Sequence, residues 1–274
     1  MMAPTRRQEY DIDDPRKIQG RDEIVPGSRD LATMRLTRGL NAIGDVDGRL
    51  LLLGAGAGRY ARALAAARPD LDVVASDLSH RAIAEARSIG GPPVYLVADA
   101  QALPHPDNAF NAVVFFDLLE HVQQPDILLH ECWRVLGDDG VLHFFVPLEN
   151  EPMTLYRGLK NDAPIPIHRW KHDHVGHVQR YTQADVLTLV WHAGLRVEHI
   201  DHSFHLVGQI HDIVDYWHRE RGRGGEGRLP LPLVHAVTRG VFLVTWRLAY
   251  LEDRFYSGRR FASGLHVTAR RPSR

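Results

Sequence analysis

The chain alternates between short apolar runs and stretches whose apolar positions recur every three or four residues. Residues 50–53, 73–75, 94–97, 110–116 and 141–146 are long enough for buried strands and too short for buried helices. Between them, Tyr60, Ala61, Leu64 and Ala65, and later Ile127, Leu128, Cys132 and Val135, put apolar side chains on one face of a helix. Ser28 is expected to cap an opening helix running to about residue 43, with Leu31, Met34, Leu36 and Leu40 turned inward. A helix over 182–192 and strands over 195–200 and 264–269 continue the alternation. The pattern predicts an α/β fold, Rossmann-like and doubly wound, with a mostly parallel seven-stranded sheet.

Two segments interrupt this plan as insertions after strands five and six. Residues 149–181 are rich in proline, histidine and aromatic side chains. Residues 204–260 hold a helix, a basic glycine-rich turn over 219–228 and an apolar stretch over 229–251. Arg239 and Arg247 break that stretch, which makes it a poor membrane-spanning helix. It reads either as buried packing or as an interfacial helix making peripheral membrane contact. The whole chain is expected to be one domain, with a core over 44–202 and 259–271, an N-terminal helical segment over 1–43 and an insertion over 203–258.

Where the first apolar run ends, Gly54, Ala55, Gly56, Ala57 and Gly58 lead directly into a helical pattern. Alternating glycines let the backbone turn sharply and approach a ligand closely, and the following helix offers its free N–H groups. A dinucleotide-binding turn would space its glycines differently, with the third where Arg59 stands. Asp77 ends the second strand about twenty residues on, where a ribose-binding carboxylate belongs in either kind of site. Its other reading is a helix cap. Asp99 ends the third strand, with the alternative of a turn aspartate, and Asp117 ends the fourth. In a doubly wound sheet all of these line the edge where ligands bind.

The glycine spacing, the acid-ended strand 73–79, Asp99-Ala100 followed by Leu103-Pro104, and the segment 110–122 with its Glu120-His121 resemble the class I S-adenosylmethionine-dependent methyltransferases, small-molecule type. The resemblance covers roughly residues 48–150. It implies S-adenosyl-L-methionine as cofactor, held by Gly54, Ala55, Gly56, Gly58, Asp77, Leu78, Asp99, Ala100 and Asp117. It also implies methyl transfer to a small molecule, a secondary metabolite or a sugar-containing or lipid-like compound, most directly on oxygen. His121, after the fourth strand, and His177, in a segment resembling one that reaches the acceptor pocket, are the candidate bases; a structural role remains open for each. The alternative is a methyltransferase fold that performs a cyclisation or elimination.

Asp117, Glu120 and His121, at i, i+3 and i+4, would share a helical face and resemble the metal cluster of ubiquinone-pathway O-methyltransferases. His172, His174 and His177 form a second such spacing; the expectation is nonetheless no metal. Relatives usually carry an acid two residues before the first glycine, for the amino group of the cofactor's methionine part. Leu52 stands there, and an aliphatic side chain accepts no hydrogen bond. Tyr10, Asp11 or Asp13 are candidate substitutes.

Composition narrows the partners. A formal net charge of −1 gives no broad attraction to nucleic acid. The single cysteine, Cys132, leaves no intrachain disulfide and fits a small buried hydrophobe. Residues 1–29 lack the apolar core of a signal peptide, so a cytoplasmic protein is the expectation.

Overall fold

The computed structural model describes residues 12–14, 18–25, 27–159, 165–222 and 230–273. Its elements run α1 (Leu31–Ile43), β1 (Gly48–Leu53), α2 (Arg59–Ala67), β2 (Leu71–Asp77), α3 (His80–Ile89), β3 (Val94–Val97), β4 (Phe110–Phe116), α4 (Pro125–Val135) and β5 (Leu136–Pro147). They continue with α5 (Leu155–Gly158), α6 (Ile167–Val175), α7 (Gln183–His192), β6 (Arg196–Ser203), α8 (Leu206–Gly222), α9 (Leu231–Phe255) and β7 (Gly264–Arg270).

The seven strands form one sheet in the order β3-β2-β1-β4-β5-β7-β6. The first five are parallel, and β7 runs antiparallel between β5 and β6. The order reverses between β1 and β4, which opens a crevice at the carboxyl ends of these strands. Strand alternation sorts the core into two layers. Leu51, Leu53, Val113 and Phe115 face α4 and α7, whereas Leu50, Leu52, Ala112 and Val114 face α1, α2 and α3.

Helix starts follow local chemistry. Asp30, not Ser28, caps α1 by accepting from Thr33 N; Ser28 instead hydrogen-bonds Asp30 and Thr33 through its hydroxyl. Ser79 caps α3, and Thr182 with Asp185 closes a capping box on α7. Cys132 is fully buried against β4 and β5, where desolvation pushes its thiol pKa up. Gly137-Asp138-Asp139-Gly140, a turn-like sequence, belongs to the long β5, with a register shift against β4 and Asp139 at φ 58°.

Candidate active site

The glycine loop leaves β1 with Gly54, Gly56 and Gly58 all at positive φ (65°, 55° and 90°). Its hydrogen bonds fix it to β2: Ala55 N donates to Ser76 O, and Gly56 N donates to the Asp77 carboxylate at 2.8 Å. Asp77 also accepts from Ser79 N, so it braces the loop and the entry to α3 while Ser79 does the capping. Burial raises its pKa, against the lowering pull of the Ser79 and Gly56 N–H groups.

A segment without periodicity lies over this loop. Gln19 O accepts from Ala57 N at 2.8 Å, and a Cβ on Gly56 would come within 2.6 Å of that same oxygen. Gly56→Ala is therefore expected to lower unfolding free energy by about 1–2 kcal/mol through its left-handed backbone alone. It should also loosen residues 18–20, seen as faster amide exchange there; wild-type stability and exchange would contradict this.

Beyond the loop opens a cavity of about 330 Å³. Gly54, Ala55 and Gly56 form one wall, Asp117, His121 and His177 another, and Tyr156, Lys171, Asp212 and Tyr216 close the far side. Of the cofactor-site residues expected from sequence, Gly58, Asp77, Leu78, Asp99 and Ala100 lie outside this lining. Gly58 serves as the left-handed N-cap of α2, Leu78 is about half exposed, and Asp99 accepts from Gln101 N in a tight turn. Asp77 and Asp99 still follow β2 and β3, on the same sheet edge as the loop.

The helical face expected for Asp117, Glu120 and His121 does not form. Asp117 takes φ 50°, and only a single 3-10 turn, Leu119–His121, follows. Asp117 instead pairs with Arg35 of α1 at 2.6 Å, whose guanidinium lies 4.0 Å from the Phe145 ring centroid. The His172, His174 and His177 trio is also separated. His172 bonds Asp173, His174 bonds Glu220, and His177 turns to Glu149.

What meets is His121 with His177. Val178 N and Gln179 N both donate to Glu120 O, and the Tyr181 hydroxyl donates to Leu119 O, which docks the chain after α6 against the 3-10 turn. The two imidazoles stand edge to face, 4.9 Å apart. His121 Nδ1 is 3.2 Å from Gly176 O and His177 Nδ1 is 2.5 Å from Glu149 Oε1. Both acceptors lack hydrogen, so each Nδ1 is the donor in its contact. Glu120 is fully buried between them, Oε1 at 3.8 Å from either Nε2 and without a hydrogen bond on either oxygen. Burial and the nearby Asp117 charge raise the Glu120 pKa well above the usual carboxylate range. Burial, with His177 alongside, lowers that of His121 to about 3. Glu120, His121 and His177 each offer one atom within 4.8 Å of the others, a set that could hold a metal ion.

Behind His177 sits a buried ionic network that sequence spacing did not reveal. Lys171 Nζ reaches Asp212 at 2.9 Å and Glu149 at 3.3 Å, and lies 4.1 Å from the Tyr156 ring centroid. The Tyr156 hydroxyl donates to Asp212, and His168 bridges Glu149 to Tyr156 O. Burial works against the charge on Glu149, but Lys171 and His177 overcome it and hold the carboxyl well below its usual range.

Leu52 is buried in the apolar layer beneath α1 and α2. Of its candidate substitutes, Tyr10 and Asp11 lie outside the described residues. Asp13 goes elsewhere: it accepts from the Ser79 hydroxyl at the start of α3.

With this geometry in view, comparisons with known proteins are specific. Residues 51–144 match the family described as Methyltransferase domain. A malonyl-[acyl-carrier protein] O-methyltransferase of Geobacter sulfurreducens is 35% identical over 99 residues, covering 35% of this chain and 37% of that protein. The chain spans less than half the length of the curated relatives it matches. Among solved structures, the [4+2]-cyclase SpnF superposes with TM-score 0.56 at 22% identity, over 93% of this chain and 85% of its own. Phosphoethanolamine N-methyltransferase 2 of Haemonchus contortus, in complex with S-adenosyl-L-methionine, superposes with TM-score 0.56 at 18% identity, over 88% and 52%. At these identities the structural likeness is one of fold. No helix among the described residues is long and apolar enough to cross a membrane.

Proposed function

We propose that the chain is a class I S-adenosylmethionine-dependent methyltransferase, as the match of residues 51–144 to the methyltransferase domain supports, and that it transfers a methyl group from S-adenosylmethionine to a hydroxyl of a small-molecule acceptor. The observation that carries this reading is the glycine loop bonded to Asp77 on one side and open to the histidine-lined cavity on the other. Bound there, S-adenosylmethionine supplies an electrophilic methyl group.

The residues fit such a ligand. Gly54, Ala55 and Gly56 bring backbone to the cavity wall, and Asp77 keeps acceptor capacity for ribose hydroxyls. Asp99 and the Ala100 N–H are assigned to the adenine, with Leu78 and Gly58 flanking the nucleotide. Asp117, on the cavity wall beside Gly54, supplies the negative charge that Leu52 lacks, and Arg35 balances it until a ligand ammonium arrives.

On the acceptor side, His177 Nε2 takes the hydroxyl proton. The ionised Glu149 stabilises the resulting imidazolium through Nδ1–H, and Lys171 keeps Glu149 ionised. His121, held neutral, offers a second acceptor that orients the hydroxyl. Packing around the cavity excludes water and holds nucleophile and methyl group in line.

Asp77→Ala tests the cofactor half without an acceptor. Its affinity for S-adenosylhomocysteine, measured by calorimetry, should fall about 10- to 100-fold, the worth of one hydrogen bond to a charged group. Unchanged affinity would contradict the assignment of the ribose to Asp77.

A further inference from the structure

Helix α9 runs for 25 residues, and only Val234, Thr238, Ala249 and Asp253 on it are buried, one face turned to the protein. The opposite face is apolar. Val237, Leu243, Val244, Leu248, Leu251 and Phe255 are 42%, 67%, 55%, 46%, 42% and 82% exposed. With 100° per residue, Val237, Val244, Leu248, Leu251 and Phe255 fall within about 60° of one another, a stripe about 27 Å long at 1.5 Å per residue, with Leu243 on its flank. A monomer rarely leaves so continuous an apolar surface in water.

The charges on this helix are sorted too. Both of its carboxylates face the protein: Glu252 accepts from Val207 N, and Asp253 accepts from Phe204 N and His205. The outward charges are Arg247 and Arg254, placed by the helical period beside the stripe, and Arg239, on the flank towards α8. Arg239 also borders a shallow groove between α8 and α9, floored by Phe242, Leu243 and Trp246 and opening about 440 Å³.

We propose that the outward face of α9 docks onto the surface of an anionic lipid bilayer, with the apolar stripe among the acyl chains and the three arginines at the phosphates. Apolar area and basic charge on one helix face are what interfacial binding requires. A symmetric pairing of two copies fits less well, since it would set arginines against arginines with no carboxylate on either face. The inference is independent of how the cavity works. The groove beside Arg239 matches one lipid: a phosphate at the guanidinium and a chain over Phe242 and Trp246.

Flotation of the full chain with vesicles tests it. Binding is expected to vesicles of phosphatidylcholine containing about one third phosphatidylglycerol, and to be at least tenfold weaker to phosphatidylcholine alone. Raising salt should release most of the protein. Replacing Arg239, Arg247 and Arg254 together by glutamine should weaken binding roughly 100-fold. Val244→Glu with Leu248→Glu should abolish it while leaving the melting temperature and S-adenosylhomocysteine affinity at wild-type values. Failure to float with either vesicle overturns the proposal. So does a dimer in solution that these two substitutions dissociate without any vesicle binding; that result assigns the stripe to a second copy. Equal binding to both vesicle types overturns the role of the arginines.

Discussion

Lys171→Met is expected to destabilise the protein by about 3–5 kcal/mol, the loss seen when one partner of a buried ion pair is removed. Lys171 is almost wholly buried and holds two carboxylates at once, Asp212 on α8 and Glu149 after β5. Methionine fills a similar volume but leaves the buried Glu149 and the partly exposed Asp212 without the cation they share. Asp212 also accepts from Tyr156, so the loss spreads from α6 to α5. Burial opposes the charge on Lys171, yet Asp212 and Glu149 raise its pKa well above the ordinary value, so the ammonium persists throughout the working range. Urea unfolding at neutral pH reads the effect. A change below about 1 kcal/mol would mean that water reaches these charges.

His177→Gln is expected to slow methyl transfer by 10²–10⁴, the usual contribution of a positioned base. The acceptor for this assay comes from screening hydroxylated compounds with radiolabelled S-adenosylmethionine. Glutamine keeps a polar side chain near Glu149 but provides no basic nitrogen. Affinity for S-adenosylhomocysteine should stay within about twofold, since His177 belongs to the acceptor wall. Rate should recover as pH rises and the acceptor hydroxyl ionises unaided. An unchanged rate would remove His177 from proton transfer. A rate loss matched by equal loss of cofactor affinity would make its role structural.

These two residues show where reading the sequence stops. The strands were legible because Leu50–Leu53 and Phe110–Phe116 are apolar on both faces and too short for helices. The glycine loop was legible because left-handed backbone conformations in quick succession demand glycine. The His121–His177 meeting was anticipated only as two separate candidates. Their contact depends on two backbone bonds to Glu120 O, and backbone pairing between Glu120 and the distant Val178 and Gln179 leaves no mark in side-chain pattern.

Lys171 carried no signal at all. It sits among Trp170, His172 and His174, a stretch that looks like polar surface, and its partners lie in distant elements. Residues 18–20 were equally silent: they hold the glycine loop through a backbone carbonyl, which any residue supplies. The i, i+3, i+4 reading of Asp117, Glu120 and His121 failed for a local reason. Asp117 leaves β4 in a left-handed conformation, accepted by its bond to Arg35, and no helical turn spans it. Arg35 itself had a faint signal, a cation in the first turns of a helix with an otherwise apolar inner face.

Calorimetry of the wild-type chain with S-adenosylmethionine and S-adenosylhomocysteine tests the central claim most directly. The site predicts that each ligand binds once per chain and that the two compete. No binding of either at about millimolar ligand, where even weak complexes form, would contradict it.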